Sequence, residues 1–275
     1  MAIRLAALDV DGTLLTPDNR ITGETAAAVR EAAQAGIEVA LSTGRSLAEV
    51  QDILRALPQI RYISCATGAY VLDVQKMQLL YECSMSPEEG KAAYRAVREA
   101  DCMVHLYTGL SVRNAKSCME SFTRYMAAKM YGLIEKTHII EDDLDAFAAQ
   151  CQEPFEKLYV SFPDQAEYDK AYAAVSQLPV FLTDGGWRLD LEVMSRKTDK
   201  GVALRALAEH LGIPREQVLA MGDSGNDCAM LRYAGVGVAM GNAGEQAKKA
   251  ADFIAPSNCD DGVAVILRRA IRGEI

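Results

Sequence analysis

The sequence predicts an α/β fold, with a core built on a doubly wound parallel sheet and an α+β domain inserted into that core. Three observations support this prediction. Short apolar runs alternate with helical patterns in both terminal parts of the chain, which is the order of strand–helix–strand units. Polar loops rich in aspartate and glycine follow several of these runs, where open parallel sheets bind their ligands. The middle of the chain instead mixes short strands with helices.

The first predicted strand is the apolar run 5–8, which is typical of a strand buried on both faces. Asp9 and Asp11 follow it, and Gly12 permits a sharp turn. Residues two apart on a strand point to one side, so we expect both carboxylates at the same edge of the sheet. Two like charges this close are unfavourable unless a cation joins them, and a few oxygen ligands suit Mg²⁺. Taken alone, the pair is equally consistent with an acidic turn.

The second predicted strand, 37–41, follows a helical pattern over 24–35. Thr43, Gly44 and Arg45 come directly after it, again at the carboxyl end of a strand. A hydroxyl and bare backbone N–H groups at this place suit a phosphate oxygen. The same loop can cap the helix predicted after it. Arg45 is left with two alternatives, a contact with the ligand or a pairing with that helix.

The domain boundaries follow from a change of pattern. A third strand over 60–66 and a hairpin over 70–81 complete the first part of the core. We therefore assign 1–83 and 194–275 to the core domain and 84–193 to the inserted α+β domain.

Within the insert, 118–130 predicts one helix whose methionine and phenylalanine side chains form a stripe that packs on a sheet. His105 lies in an apolar strand, so we expect it to be structural or to line a pocket. The runs 180–183 and 187–193 predict a hairpin around the turn 184–186. Its second strand alternates apolar and charged residues, which indicates that only one face is buried.

The core pattern resumes with a helix that Lys200 opens, and with an apolar strand over 218–221. Asp223, Asn226 and Asp227 follow that strand in the order Gly-Asp-Ser-Gly-Asn-Asp. A further strand and a Gly-Asn-Ala turn come next. Lysine, aspartate and asparagine side chains thus meet the same edge of the predicted sheet as Asp9.

Composition excludes several classes of function. The chain has 29 Lys and Arg against 38 Asp and Glu, a formal net charge of −9, which argues against nucleic acid or an anionic membrane as partner. Seven cysteines without paired spacing and three histidines without metal-ligand spacing give little basis for a zinc site or a Ser-His mechanism. Neither a signal peptide nor a membrane span is visible, so we expect a cytoplasmic protein with free thiols. The sequence assigns no oligomeric state.

The loops together resemble a known family. Four fragments match the four motifs of the haloacid dehalogenase superfamily in order and type: Asp9-x-Asp11, Thr43-Gly44, Lys200 and Gly222-Asp223-x-x-Asn226-Asp227. The form of the last fragment and the large insert before Lys200 resemble the Cof-type phosphatases with a C2B cap, which implies a Rossmann-like core under a cap domain. One departure is visible: relatives often carry Asn-Gly-Ala where this chain reads Thr67-Gly68-Ala69.

The resemblance implies a role for each matched residue. Asp9 would be a covalent nucleophile that forms an aspartyl-phosphate, and Asp11 would be the general acid and base. Mg²⁺ would be held by Asp9, Asp223 and the backbone carbonyl of Asp11. Asp227 would support the metal side, through waters or through Lys200. The phosphate would be bound by several groups: the N–H groups of Val10 and Gly44, and the side chains of Thr43, Lys200 and Asn226.

The function that these residues predict is Mg²⁺-dependent hydrolysis of a small phosphorylated metabolite. The resemblance implies sugar phosphates, pyridoxal phosphate or flavin mononucleotide as substrates. Three alternatives stay open. A phosphomutase or phosphotransferase of the same fold would pass the phosphate to a second acceptor, a binding or regulatory protein would keep the fold without turnover, and a structural interpretation makes the acids an exposed rim.

Overall fold

Two compact units make up the chain, for which a computed structural model describes residues 2–183 and 189–275. The first unit comprises Met1–Arg45, Val50–Glu82 and Asp199–Ile275, and the second comprises Ser46–Glu49 and Cys83–Thr198. Along these described ranges, no helix combines the length and the apolar character that crossing a membrane requires. The sequence-based division at 84 and 193, and the assignment of the insert as a cap, stay predictions.

The strands in chain order are β1 (Leu5–Leu8), β2 (Glu38–Ser42), β3 (Tyr62–Cys65), β4 (Tyr70–Asp73), β5 (Gln78–Glu82), β6 (Met103–Thr108), β7 (Ser111–Ala115), β8 (Ile139–Glu141), β9 (Phe155–Ser161), β10 (Val180–Thr183), β11 (Asp190–Ser195), β12 (Val218–Gly222), β13 (Val236–Ala239) and β14 (Phe253–Ile254). The α-helices are α1 (Gly23–Gln34), α2 (Gln51–Ala56), α3 (Pro87–Val97), α4 (Lys116–Glu120), α5 (Tyr131–Thr137), α6 (Leu144–Gln150), α7 (Gln165–Val175), α8 (Lys200–His210), α9 (Cys228–Tyr233), α10 (Glu245–Ala250) and α11 (Gly262–Ile271).

The sheet of the first unit confirms the predicted α/β core. Its described strands lie in the order β14-β13-β12-β1-β2-β3-β4-β5. Pairing is parallel from β14 through β3, and the hairpin β4–β5 closes the other edge antiparallel. Leu8 at the end of β1 is in register with Met221 of β12 and Leu41 of β2. The loops after these three strands therefore leave one edge of the sheet side by side.

Side-chain caps begin helices in both units. The Thr22 side chain accepts the N–H of Thr25 at the start of α1, and Asp199 accepts the N–H of Val202 at the start of α8. Ser86 and Glu89 form a capping box at the start of α3. These local side chain–backbone bonds satisfy N–H groups that the first turn of a helix leaves unpaired.

The single helix predicted over 118–130 is wrong. Helix α4 ends at Glu120, and two 3₁₀ turns follow, Phe122–Arg124 and Ala128–Met130. Backbone angles of φ −114° and ψ 29° at Ser121 break the helix. The predicted apolar stripe nevertheless packs as expected in a cluster with Met103. A stripe can thus be buried by separate turns as well as by one continuous helix.

The second unit has its own sheet, in the order β10-β11-β9-β6-β7-β8 along the described strands. Its pairs are antiparallel except for β7 and β8, which run parallel. Apolar side chains of β6, β9 and β11 form one cluster with those of α3, α6 and α7. The predicted pairing of 180–183 with the following strand is present, whereas the turn 184–186 and residues 187–188 lie outside the described residues.

The prediction that β11 buries only one face is wrong. Asp190 and Glu192 are 2% and 4% exposed, although they alternate with buried apolar residues. Lys157 donates to Glu192 at 2.7 Å, and the Tyr159 hydroxyl donates to Asp190 at 2.7 Å. These neighbours on β9 supply the hydrogen bonds that a buried carboxylate requires.

Candidate active site

The first unit brings the predicted site residues together at the carboxyl edge of its sheet. Asp9 follows β1, Thr43 follows β2 and Asp223 follows β12, while Lys200 begins α8. Lys200 donates to Asp9 at 2.7 Å and to Asp227 at 2.6 Å. Four separate segments of the chain therefore meet at this edge, and two ion pairs of Lys200 join three of them.

Burial determines the electrostatics of this cluster. Asp9, Lys200 and Asp227 are 4%, 1% and 0% exposed. Burial and the charge of Asp227 raise the pKa of Asp9 well above its usual range, even though Lys200 acts in the opposite direction. Burial disfavours the protonated Lys200, but the charges of Asp227 and Asp9 outweigh it and raise the lysine pKa. The surroundings of Lys200 thus favour its charged ammonium form beside crowded carboxylates.

Asp227 fixes the turn after β12. One of its oxygens accepts from Lys200, and the other accepts the N–H groups of Asp223 and Ser224, both at 2.9 Å. A Cβ on Gly222 would overlap the Asp227 side chain, so only glycine fits at the end of this strand. Both oxygens of Asp227 thus accept hydrogen bonds from the protein. The sequence suggested that Asp227 would support the metal side through waters or through Lys200, and the contact with Lys200 is present.

Three carboxylates could hold a metal ion. One carboxylate oxygen from each of Asp9, Asp223 and Asp227 lies within 4.8 Å of the other two. Burial and the charge of Asp227 raise the pKa of Asp223 to about 6. Hard carboxylate oxygens in small number are the donors that Mg²⁺ prefers, and a cation would offset the repulsion among them. The donor set therefore fits the predicted Mg²⁺.

The loop after β1 packs closely on Asp223. Gly12 has a φ of +79°, and a Cβ at that position would overlap the Asp223 carboxylate. The Thr13 hydroxyl donates to Asp223 at 3.3 Å. The loop that carries Asp9 and Asp11 therefore packs directly on the loop that carries Asp223, and a side chain at position 12 would separate them.

Asp11 and Arg45 form a bidentate ion pair. The Arg45 Nε and Nη2 atoms donate to the Asp11 carboxylate at 2.8 and 2.6 Å. The side chain of Asp11 is 58% exposed and that of Arg45 is 16% exposed. The sequence offered a ligand or the following helix as partners for Arg45, and it gave no signal for Asp11, which lies 34 residues away. The backbone carbonyl of Asp11 as a metal ligand stays a prediction.

Thr43 joins the loop after β2 to the loop after β3. Its buried hydroxyl accepts the N–H of Arg45 at 3.1 Å, and its carbonyl accepts the N–H of Thr67 at 3.0 Å. Thr67 is left-handed at φ 58°, a conformation that asparagine adopts far more readily than a β-branched residue. The departure from Asn-Gly-Ala therefore leaves a strained backbone next to Thr43 and Gly44.

Two further predicted phosphate ligands lie on the same loops. Val10 is buried, and its carbonyl accepts the N–H of Leu15 at 2.9 Å. Asn226 accepts the Ser224 hydroxyl at 2.9 Å through its side-chain oxygen. This contact leaves the amide nitrogen of Asn226 as the group to consider for a phosphate, and its role and that of Val10 stay predictions.

Sequence reasoning missed two asparagines that bind the loop after β1. Asn242 donates to the carbonyl of Gly12 at 2.8 Å, and Asn258 donates to that of Leu15 at 2.7 Å. The Gly-Asn-Ala turn around Asn242 was visible as a strand end at the same edge of the sheet. That position was the available signal.

A parallel sheet with an aspartate pair after β1, a buried lysine and an acidic turn after β12 defines a class of phosphoryl-transfer hydrolases. A family model described as haloacid dehalogenase-like hydrolase matches residues 6–267. The chain belongs to this family, which confirms the resemblance seen in the sequence.

Individual relatives refine the class. A putative phosphatase, M6_Spy0533, of Streptococcus pyogenes serotype M6 is 30% identical over 98% of both chains. The 5-amino-6-(5-phospho-D-ribitylamino)uracil phosphatase YcsE of Bacillus subtilis is 28% identical over 97% of this chain and 95% of its own. A solved haloacid dehalogenase-like hydrolase from B. subtilis superposes with a TM-score of 0.82 at 27% identity, covering 97% of this chain and 99% of that one. The predicted enzyme class is confirmed: the chain is a haloacid dehalogenase-like phosphatase.

Proposed function

We propose that the protein is a Mg²⁺-dependent phosphomonoester hydrolase that works through an aspartyl-phosphate on Asp9. The observation that supports this most strongly is the buried ion pair of Lys200 with Asp9, beside Asp223 and Asp227. Phosphoryl transfer needs positioned groups and neutralised charge more than elaborate covalent chemistry.

Asp9 attacks the phosphorus in line. A bond forms between a carboxylate oxygen of Asp9 and phosphorus as the bond to the ester oxygen breaks. Lys200 keeps the carboxylate oriented through its 2.7 Å bond and offsets the repulsion between Asp9 and an incoming phosphate dianion. Because Asp227 and the burial of Lys200 hold the ammonium in place, its charge needs no rearrangement during the reaction.

Bound Mg²⁺ would neutralise charge on the phosphate oxygens. The residues that would hold it are Asp9, Asp223 and the backbone carbonyl of Asp11. We assign Asp227 to holding Lys200 and the turn after β12, since both of its oxygens are hydrogen-bonded to those groups.

Asp11 protonates the departing alkoxide and later removes a proton from the water that attacks the aspartyl-phosphate. The exposed position of its side chain suits proton exchange with a bound ester and with water. Arg45 orients this carboxylate through two hydrogen bonds. In this proposal Arg45 acts on the substrate through Asp11.

The phosphate is held by the loops around Asp9. Thr43 and the N–H of Gly44, on the loop after β2, bind the phosphate. The N–H of Val10 on the loop after β1 and the side chain of Asn226 on the loop after β12 also bind it. Lys200 completes the set.

The proposed substrate is a small phosphorylated metabolite, either a sugar phosphate or a phosphorylated cofactor or its precursor. The B. subtilis relative named for a phosphoribitylamino-uracil substrate supports this class. The net charge of −9 argues against nucleic acid or an anionic membrane. We further propose a cytoplasmic location, and a C2B cap formed by 84–193 that closes over the site and selects the leaving group.

The test is release of inorganic phosphate from a panel of sugar phosphates, pyridoxal phosphate and flavin mononucleotide. We expect release with Mg²⁺, loss of release in chelator, and loss in Asp9→Asn, which keeps the shape of the side chain but removes the nucleophile. Undiminished release by Asp9→Asn would contradict the mechanism. Phosphate found on a second sugar position instead of in solution would favour the phosphomutase alternative.

A further inference from the structure

Two asparagines outside the predicted catalytic set bind the loop that carries Asp9 and Asp11. Asn242 follows β13 and Asn258 follows β14, far from that loop in the sequence. We propose that Asn242 and Asn258 are a pair of positioning residues, which hold this loop in the geometry that metal binding and turnover require. The inference rests on the proposed function and states which residues hold the proposed active site in its geometry.

The loop after β1 is folded back on itself. The N–H of Leu14 donates to the carbonyl of Asp9 at 3.2 Å, and the N–H of Leu15 donates to that of Val10 at 2.9 Å. The carbonyl of Gly12 accepts from the Asn242 side chain, and that of Leu15 accepts from the Asn258 side chain. Backbone polar groups of a compact loop need such partners, so the two asparagines complete its hydrogen bonding.

The two asparagines are themselves linked. The Asn242 side-chain oxygen accepts the backbone N–H of Asn258 at 3.0 Å while its amide nitrogen donates to Gly12 at 2.8 Å. One side chain must therefore donate on one side and accept on the other, which asparagine does and aspartate or leucine does not. These partners also fix which end of the amide faces Gly12.

Asn258 is held firmly enough to serve as an anchor. It is 9% exposed, and it lies in a turn in which the N–H groups of Asp260 and Gly262 both donate to the carbonyl of Ser257 at 3.0 Å. The N–H of Gly241 donates to the carbonyl of Pro256 at 3.2 Å, which ties this turn to the one that carries Asn242. The pair therefore belongs to one connected frame.

The hydrogen bond to the Gly12 carbonyl positions two groups of the proposed site, Asp11 and Asp223. Gly12 follows Asp11 directly, and its α-carbon packs so closely on Asp223 that a Cβ would overlap that carboxylate. Thr13, which shares the peptide bond of the held carbonyl, donates to Asp223 at 3.3 Å. Release of Gly12 therefore shifts Asp11 and Asp223, whereas Thr43 and Gly44 lie on another loop. Metal affinity and kcat should fall more than KM rises.

The experiment uses Asn242→Leu and Asn242→Asp, with Asp252→Leu as the matched control. Both variants at 242 lose the donor to Gly12 but differ by one charge. Asp252 is exposed and accepts the N–H of Gly237 at 2.8 Å, so its variant loses a similar bond that serves β13 instead of the loop after β1. Mg²⁺ affinity is measured by calorimetry on the protein alone, and kcat and KM with the best substrate of the wild type.

We expect both 242 variants to lose about tenfold in Mg²⁺ affinity and in kcat, with KM changed by about twofold or less. Melting temperatures in chelator should match that of Asp252→Leu. A simple charge effect would instead raise Mg²⁺ affinity in Asn242→Asp alone, and that result would overturn the proposal. So would wild-type affinity and kcat in both variants.

Asn258→Asp is a second test that does not depend on position 242. It loses the donor to Leu15 but keeps the backbone N–H that binds Asn242. We expect a loss of Mg²⁺ affinity and kcat in the same direction, and an unchanged affinity would count against the pair. Calorimetry separates this inference from the proposed function, because an inactive wild type that binds Mg²⁺ would contradict only the latter.

Discussion

Replacing Asp223 with asparagine should stabilise the metal-free protein at neutral pH. Partial burial and the nearby charge of Asp227 raise the pKa of Asp223 from its ordinary value of 3.8 to about 6 in the folded chain. A carboxyl group whose pKa is raised on folding stabilises the fold below its unfolded pKa, and this contribution is lost as the pH rises through the folded pKa. Above about pH 6 the ionised Asp223 therefore destabilises the wild type.

The magnitude follows from the two pKa values. Their difference corresponds to about 3 kcal/mol when the group is fully ionised. Asp223 is partly exposed and accepts a hydrogen bond from Thr13, so we expect about 1–3 kcal/mol. For a chain of this size that is a rise in melting temperature of about 3–8 °C.

The assay is thermal unfolding of wild type, Asp223→Asn and Asp252→Asn in chelator from about pH 4 to about pH 8. The advantage of Asp223→Asn should be small at the acidic end and level off above about pH 6. Added Mg²⁺ should stabilise the wild type but not Asp223→Asn. Asp252→Asn should show neither effect, since Asp252 accepts the N–H of Gly237 and is not among the proposed site residues. A destabilised Asp223→Asn in chelator, or an advantage independent of pH, would refute the reasoning.

Three further predictions concern other residues. Lys200→Ala should lose about a hundredfold or more in kcat, because it removes a preorganised buried charge. Lys197 is exposed, so Lys197→Ala should stay within about twofold of the wild type. Equal mild losses in both variants, with folding checked by circular dichroism, would be inconsistent with the role of Lys200. Thr67→Asn should raise the free energy of unfolding in urea by about 0.5–1 kcal/mol, since asparagine tolerates the left-handed backbone at φ 58°, and a loss of stability would speak against strain there. Burial opposes ionisation of Glu49, but hydrogen bonds from His138 and Ser46 lower the pKa of this carboxyl group to about 2. The ionised Glu49 therefore stabilises the fold above pH 4.5, and this contribution is lost as the pH falls towards 2. Glu49→Gln should therefore flatten the acid loss of stability, while the exposed Glu120→Gln should not.

The sequence was most informative where local rules decide the structure. Buried parallel strands read as apolar runs, so β1 and β12 and the acidic loops behind them could be located without a structure. The helix starts at Ser86 and Asp199 also follow a local rule, because capping depends on residues three apart.

Long-range contacts could not be predicted in this way. The pairing of Arg45 with Asp11 depends on two loops meeting in space, and so do the bonds of Asn242 and Asn258 to the loop after β1. The burial of Glu192 was missed for a related reason, since its partner Lys157 lies on another strand.

Helix α11 was missed although its residues are strongly apolar. Its N-cap residue, Asp261, is of a type that often begins helices, but it is left-handed at φ 53° and makes no side-chain cap bond. Part of its attachment comes from Arg268, which pairs with Glu24 and Glu31 of α1. Such a helix is defined by its packing more than by its ends.

Capture of a phosphate on Asp9 is the most direct test of the proposed mechanism. The variant Asp11→Asn should retain Asp9, Lys200 and Asp223 but lack the general acid and base. Nitrophenolate leaves without a proton, so the first step should largely survive with nitrophenyl phosphate, whereas the second step needs Asp11 to activate water and should slow by about 10²–10⁴-fold.

The measurement is rapid quench of Asp11→Asn with nitrophenyl phosphate and Mg²⁺, followed by peptide mass analysis, with Asp9→Asn as the control. We expect a burst of about one nitrophenol per site and a phosphate on the peptide that contains Asp9. An alkyl phosphate should give no burst, because its leaving group needs the missing proton. Equal slowing of both esters from the first turnover, with no label on Asp9, would contradict Asp9 as the nucleophile and Asp11 as the acid–base residue.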